Sequence, residues 1–97
     1  MSYKIKFKDG SVKKFDTLEW ADLYDADLHG ARLRGAILCH TDLRAANLEN
    51  AKLYDAVLRG TDMTGASLKD TDLRGATLEW VSLTGAHLDG VFTGKED

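Results

Sequence analysis

The chain has no proline, one cysteine, two tryptophans and no apolar run of the length a membrane helix needs. With Cys39 alone, no internal disulfide can form, and nothing points to a secreted, disulfide-stapled domain. A span would need roughly 20 consecutive apolar residues, and the start MSYKIKFKDG alternates lysine with apolar side chains where a secretory leader would carry an apolar core. A soluble, cytoplasmic protein is expected. Hydrophobic residues make up 43% and charged residues 30%, a balance that, without proline, does not support disorder. Catalytic spacings are lacking too. His29, His40 and His87 occupy different positions of the sequence pattern, Cys39-His40 is a lone dipeptide, and neither a metal site nor a nucleophile triad can be assembled. The expectation is a non-enzyme without cofactor or metal.

What is present is a repeat. From Ala21 to Gly90 a five-residue unit recurs fourteen times without a gap: a small residue, a variable one, leucine, a variable one, and a turn former. The third slot holds thirteen leucines and Met63; the first holds Ala in ten units, Thr41, Thr61 and Thr71 in three, and Val81 in one. Gly, Asp or Asn closes eleven of the fourteen units. Such a period fits neither regular element. On an α-helix positions five apart are about 140° out of phase, and in a flat strand an odd spacing sends successive leucines to opposite faces. Burying all the leucines together requires a bend after every unit, which Gly, Asp and Asn tolerate. Bends of one sense make a coil, and coils stacked about 4.8 Å apart make a parallel β-helix with an internal leucine ladder.

The units ADLYD, ADLHG, ARLRG, TDLRA, ANLEN, TDLRG and ASLKD resemble the pentapeptide repeat family, whose pattern is A(D/N)LXX. The resemblance implies an all-β fold, a right-handed quadrilateral parallel β-helix with one unit per side, about twenty residues per coil and about four coils. Residues 16–95 would form it, with 96–97 a short tail. Ahead of it, Tyr3, Ile5 and Phe7 alternate with Lys4, Lys6 and Lys8, and Asp9-Gly10 is a strong hairpin signal. Residues 1–15 therefore read as an N-terminal β-hairpin cap over the first coil. The opposite end has no such device, and Leu88, Val91 and Phe92 are candidates for end-to-end association, with a homodimer through the C-terminal coil as one outcome.

Charge is divided unevenly. Residues 1–15 carry five lysines against Asp9, whereas the remainder carries eight basic and fifteen acidic residues, which disfavours direct nucleic-acid binding. On a twenty-residue coil, outward residues fall into columns. Asp22, Asp42 and Asp62 form an acidic ladder, readable as a mimic of nucleic-acid phosphates or as solvated residues bonding locally. Arg34, Tyr54 and Arg74 make a small patch suited to a carboxylate or an acidic loop, or simply ion-paired arginines. Ile37 and Val57 form an aliphatic stripe, either a docking strip or β-branched residues suited to extended backbone. Trp20 is expected to pack on the hairpin, while Trp80 has no evident structural duty and is a first candidate contact.

The functional expectation is a rigid, non-catalytic scaffold presenting an outer face to a protein partner. The resemblance supplies an alternative, since quinolone-resistance members of the family mimic DNA and bind DNA gyrase; they are longer and more continuously acidic than this chain. A self-associating structural rod is the third reading. Small hairpin-capped proteins of this kind also resemble bacterial or phage gene products.

Overall fold

The computed structural model describes residues 2–94. It begins with two antiparallel strands, β1 (Tyr3–Phe7) and β2 (Val12–Phe15), with Tyr3 opposite Phe15 and Lys6 opposite Val12. The alternation dictates which side is buried: Ile5 and Phe7 turn inward while Lys4, Lys6 and Lys8 stay exposed. Asp9 tightens the connection by accepting the Ser11 N–H at 2.8 Å and its hydroxyl at 2.6 Å. The other edge of β1 pairs antiparallel with the short strand β3 (Ala26–Asp27), giving the sheet order β2-β1-β3. Ile5 and Phe7 thereby join the same buried cluster as Leu18, Leu23 and Leu28.

Beyond the hairpin each five-residue unit is a short extended segment closed by a turn. The leucine carbonyl accepts the N–H of the small residue three positions on, as in Ala26 to Leu23 and Ala31 to Leu28, both at 3.0 Å. Only the closing residue of that turn has positive φ, the mark of a type II turn. From Trp20 to Gly90 every closing residue sits between 58° and 73°. Glycine reaches this conformation freely, and Asn and Asp more readily than most residues. Ala45, at 60°, adopts it at a cost of about 1–2 kcal/mol, so the surrounding structure must hold it there.

Coils stack in a register of twenty residues. Parallel bridges join Asp22 to Asp42 to Asp62 to Ser82, Arg32 to Lys52 to Asp72 to Phe92, and Ile37 to Val57 to Thr77. The hydrogen bonds alternate direction along each edge: Leu23 N–H reaches the Asp42 carbonyl at 2.8 Å, and Asp42 N–H reaches Ala21 at 2.9 Å. Four five-residue sides thus complete one coil, and the leucines of all four point inward. Leu23, Leu38, Leu43, Leu48, Leu53, Leu58 and Leu68 are wholly buried. Threonine in the small slot is compatible with this core because its hydroxyl has a fixed acceptor. Thr41, Thr61 and Thr71 donate to the carbonyls of Leu18, Leu38 and Leu48, the last at 2.7 Å.

The two ends differ. Near the start, β1 and the leading coil cover each other, whereas the coil from Ala76 to Val91 leaves Leu78 39% and Leu88 45% exposed. The amides of Leu78, Leu83 and Leu88 find no acceptor among the described residues, although the equivalent amides one coil earlier are paired. The expected end of the helix at 95 and the tail 96–97 lie outside the described residues. Among those described, no helix is long and apolar enough to cross a membrane.

Burial sets the expected cost of truncation. Leu48→Ala should destabilise the protein by about 2–5 kcal/mol and Leu88→Ala by about 1 kcal/mol or less, because only the first opens a closed cavity. Urea unfolding of both variants measures the difference, and equal losses would contradict the open C-terminal edge.

Candidate functional site

With the leucine and the small residue inside, chemistry is confined to the second and fourth slots and to the corners. These slots sort onto four sides. On the first side the column Asp22, Asp42, Asp62 forms as the register expects, but each carboxylate has local work. Its Oδ1 accepts the N–H two residues on: Tyr24 at 3.2 Å, Arg44 at 3.1 Å and Thr64 at 3.0 Å. Asp27, Asn47 and Asp72 repeat the bond on other sides, which explains why Asp or Asn precedes so many leucines. The middle of the ladder is also neutralised. Arg44 donates through Nε and Nη2 to both oxygens of Asp42, each at 2.9 Å, and its guanidinium lies 5.3 Å from the Tyr24 ring.

On the third side the columns Arg32, Lys52, Asp72 and Arg34, Tyr54, Arg74 run side by side. Arg34 and Arg74 approach the Tyr54 ring at 5.2 and 5.6 Å, so the expected grouping of these three residues is realised as a cation–π sandwich. Asp72 forks Arg74, with Nη2 at 2.7 Å and Nε at 3.0 Å. Phe92 sits above Asp72 in the same column with its ring 4.9 Å from Arg74. Phe92 therefore belongs to a side, which corrects its assignment to the end of the rod: it occupies the second slot of its unit, and that slot points outward. Leu88 and half-buried Val91 do line the open end, together with Leu78 and half-buried Leu83.

The fourth side carries Ile37, which is exposed, and Val57, which is half-buried, so the aliphatic stripe is narrower than its sequence suggests. At its corner stand Trp20, His40, Gly60 and Trp80. Trp20 does not pack on the hairpin; it is 74% exposed and stacks on His40 with ring centroids 4.3 Å apart. The reason is the left-handed backbone at both residues, which sends the corner side chains outward so that neighbours twenty apart meet. Gly60 makes room for His40, because a Cβ there would lie 2.5 Å from His40 Nδ1. Trp80 is 82% exposed, the most open large apolar side chain described.

Electrostatics singles out pairs. The Arg44 side chain holds the Asp42 carboxyl below its ordinary value, Arg74 does the same to Asp72, and the Ser11 hydroxyl and amide do so for Asp9. Each is a carboxylate kept ionised by a neighbour, not one poised to exchange a proton near neutrality. Among the described residues no group of three or more His, Cys, Asp or Glu side chains is placed to hold a metal ion.

A family model for pentapeptide repeats matches residues 21–60 and 51–90 in eight copies. The chain belongs to the pentapeptide repeat family, whose members form right-handed β-helices and are generally non-catalytic structural or binding proteins. It is similar to alr5209, a pentapeptide repeat protein from Nostoc Pcc 7120, at 39% identity over 78% of this chain and 67% of that one, with a TM-score of 0.43. It is similar to Rfr23 from the cyanobacterium Cyanothece 51142 at 33% identity over 95% of this chain and 75% of that one, with a TM-score of 0.46. HetL, involved in heterocyst differentiation regulation in Nostoc sp. strain PCC 7120, is 30% identical over 84% of this chain and 48% of that protein, with a TM-score of 0.44. A comparison with functionally curated proteins returns no match.

The depressed carboxylates make acid stability testable. For Asp42 and Asp72 the folded value lies below the ordinary 3.8, so the stability their pairs add is complete above that pH and lost as pH falls through the folded value. The urea midpoint is expected to drop as pH falls below about 4, and Asp72→Asn should flatten that drop. An unchanged slope in the variant would remove the Arg74 pair from the account.

Proposed function

We propose that the protein is a non-catalytic, rigid binding scaffold that presents an outer side of its β-helix to a protein partner. In this reading the hairpin of β1 and β2 caps a right-handed quadrilateral helix of about four coils, and the protein works in the cytoplasm. The observation that carries it is the separation of inside from outside. Every leucine slot is spent on the core or its open edge, while the variable slots stand in columns whose spacing the backbone ladder fixes at about 4.8 Å. A backbone held that firmly loses little freedom on binding, which favours affinity.

Trp80 is the single residue most suited to anchor a partner, being large, apolar and open. Affinity capture with the native chain and with Trp80→Ala tests this. Loss of a central anchor should weaken the captured complex about thirty-fold or more, and identical capture would exclude Trp80 from the interface.

Mimicry of DNA toward gyrase is the weaker reading, although the stacked Asp22, Asp42 and Asp62 favour it. Arg44 neutralises the middle carboxylate, and each of the three is engaged in a local backbone bond. Self-association is favoured by a different observation, the exposed Leu78 and Leu88 beside amides that have no acceptor among the described residues. An open strand edge over an apolar slice invites a second copy. Light scattering should give a mass that rises with concentration in the native chain and stays monomeric in Leu88→Asp; a native monomer at all concentrations would sink the homodimer.

A further inference from the structure

The four sides of the helix differ in charge, and one of them is basic. Arg32, Arg34, Lys52 and Arg74 share the third side with Asp72 as its one carboxylate in the second and fourth slots. The first side presents Asp22, Asp42 and Asp62 against Arg44, and the second presents Asp27, Glu49 and Asp89 against Lys69. Half of the eight basic residues beyond the hairpin thus sit on one side of an otherwise acidic rod. Of these four, Arg74 is committed to Asp72, while Arg32, Arg34 and Lys52 make no ion pair among the described residues.

Local structure does not ask for cations there. In the second slot an Asp or Asn oxygen caps the backbone amide two residues on, as at Asp22, Asp27, Asp42, Asn47, Asp62 and Asp72. Arg32 and Lys52 occupy that slot and have no acceptor to offer, so the amides of Arg34 and Tyr54 lose the bond. Ile37, Val57, Ser67, Thr77, Ser82 and His87 forgo it as well, so what sets Arg32 and Lys52 apart is their charge and their place in one column. Between these cations lies Tyr54, sandwiched by Arg34 and Arg74, and the six side chains border an open groove of about 550 Å³.

We infer that this side binds a short, extended, acidic segment of a protein partner, a refinement that rests on the scaffold reading. Arg32, Arg34 and Lys52 receive its carboxylates, with Lys52 one coil spacing, about 4.8 Å, along the column from Arg32, and Arg34 beside them at the turn of the same unit as Arg32. The planar guanidiniums bind carboxylates through paired hydrogen bonds, and Tyr54 keeps that of Arg34 oriented before the segment arrives. Arg32 to Phe92 spans three coil spacings, about 14 Å, which is the length of roughly four extended residues. A long polyanion is a poor fit, because it would run off this side onto the carboxylates of the neighbouring ones.

The test is fluorescence anisotropy of the full chain with labelled hexaglutamate, hexaglutamine and a six-nucleotide oligothymidylate. Saturable binding of hexaglutamate alone is expected, weakened about ten-fold by Arg34→Gln with Lys52→Gln and by raising salt from about 50 to 500 mM. Arg59→Gln with Lys69→Gln, on other sides, should change it less than two-fold. Amide chemical-shift mapping on the unaltered protein provides an independent readout: shifts must centre on Arg32, Arg34, Lys52 and Tyr54 and spare Asp22 and Asp62. No hexaglutamate binding at low salt, equal loss in both double variants, shifts elsewhere, or tighter binding of the oligonucleotide would each overturn the assignment. Because the titration needs no cellular partner, its failure removes this side alone, while the scaffold reading stands or falls on capture.

Discussion

A left-handed residue at every fifth position is the constraint on which the molecule depends. An extended segment cannot bring leucines of odd spacing to one face, and a type II turn after each unit cancels the mismatch. The turns hold φ between 58° and 73° even where Trp20 and Ala45 occupy them, residues with no intrinsic preference for that region. Their tolerance shows that the stacked ladder dominates local preference. Each coil satisfies backbone groups of the one before it, so a strained corner is retained by the bonds on either side, such as His40 N–H to Arg59 and Ala45 N–H to Thr64.

Once the interior is committed to leucine and small residues, the exterior divides into slots with local duties and slots without. The Asp or Asn before leucine is one with a duty, since its oxygen closes a turn in side after side. That lowers the functional weight of the acidic column, while eight of the fourteen units forgo the bond. Arg32 and Lys52 do so beside Tyr54, and the result is a basic side on an acidic rod. Ion pairs add little there, because Arg74 with Asp72 and Arg44 with Asp42 are largely solvent-facing on the arginine side. Their effect is to decide which cations are already committed.

The ends are managed unequally. At the start, β1 lies antiparallel to β3, and Ile5 and Phe7 join the leucines in one buried cluster, so one side of the first edge is paired. At the other, Leu78 and Leu88 stand beside amides whose counterparts elsewhere are bonded. Stability in a stacked array comes from neighbours, and a coil with a neighbour on one side is the least protected.

Much of this was readable from the chain. The five-residue period shows which residues lie inside, because no helix or flat strand can bury such a set, and Asp9-Gly10 between alternating segments marks the hairpin. The period says nothing, however, about how many units make a coil, and every relation across coils waits on the twenty-residue register of the hydrogen bonds. That register moved Trp20 from the hairpin to His40, turned Phe92 from the end to a side, paired Asp42 with Arg44, and gathered Arg32, Arg34, Lys52 and Arg74 around Tyr54. Inside and outside follow from local geometry repeated along the chain, whereas the make-up of each side depends on contacts between residues twenty apart, which form only when the coils stack.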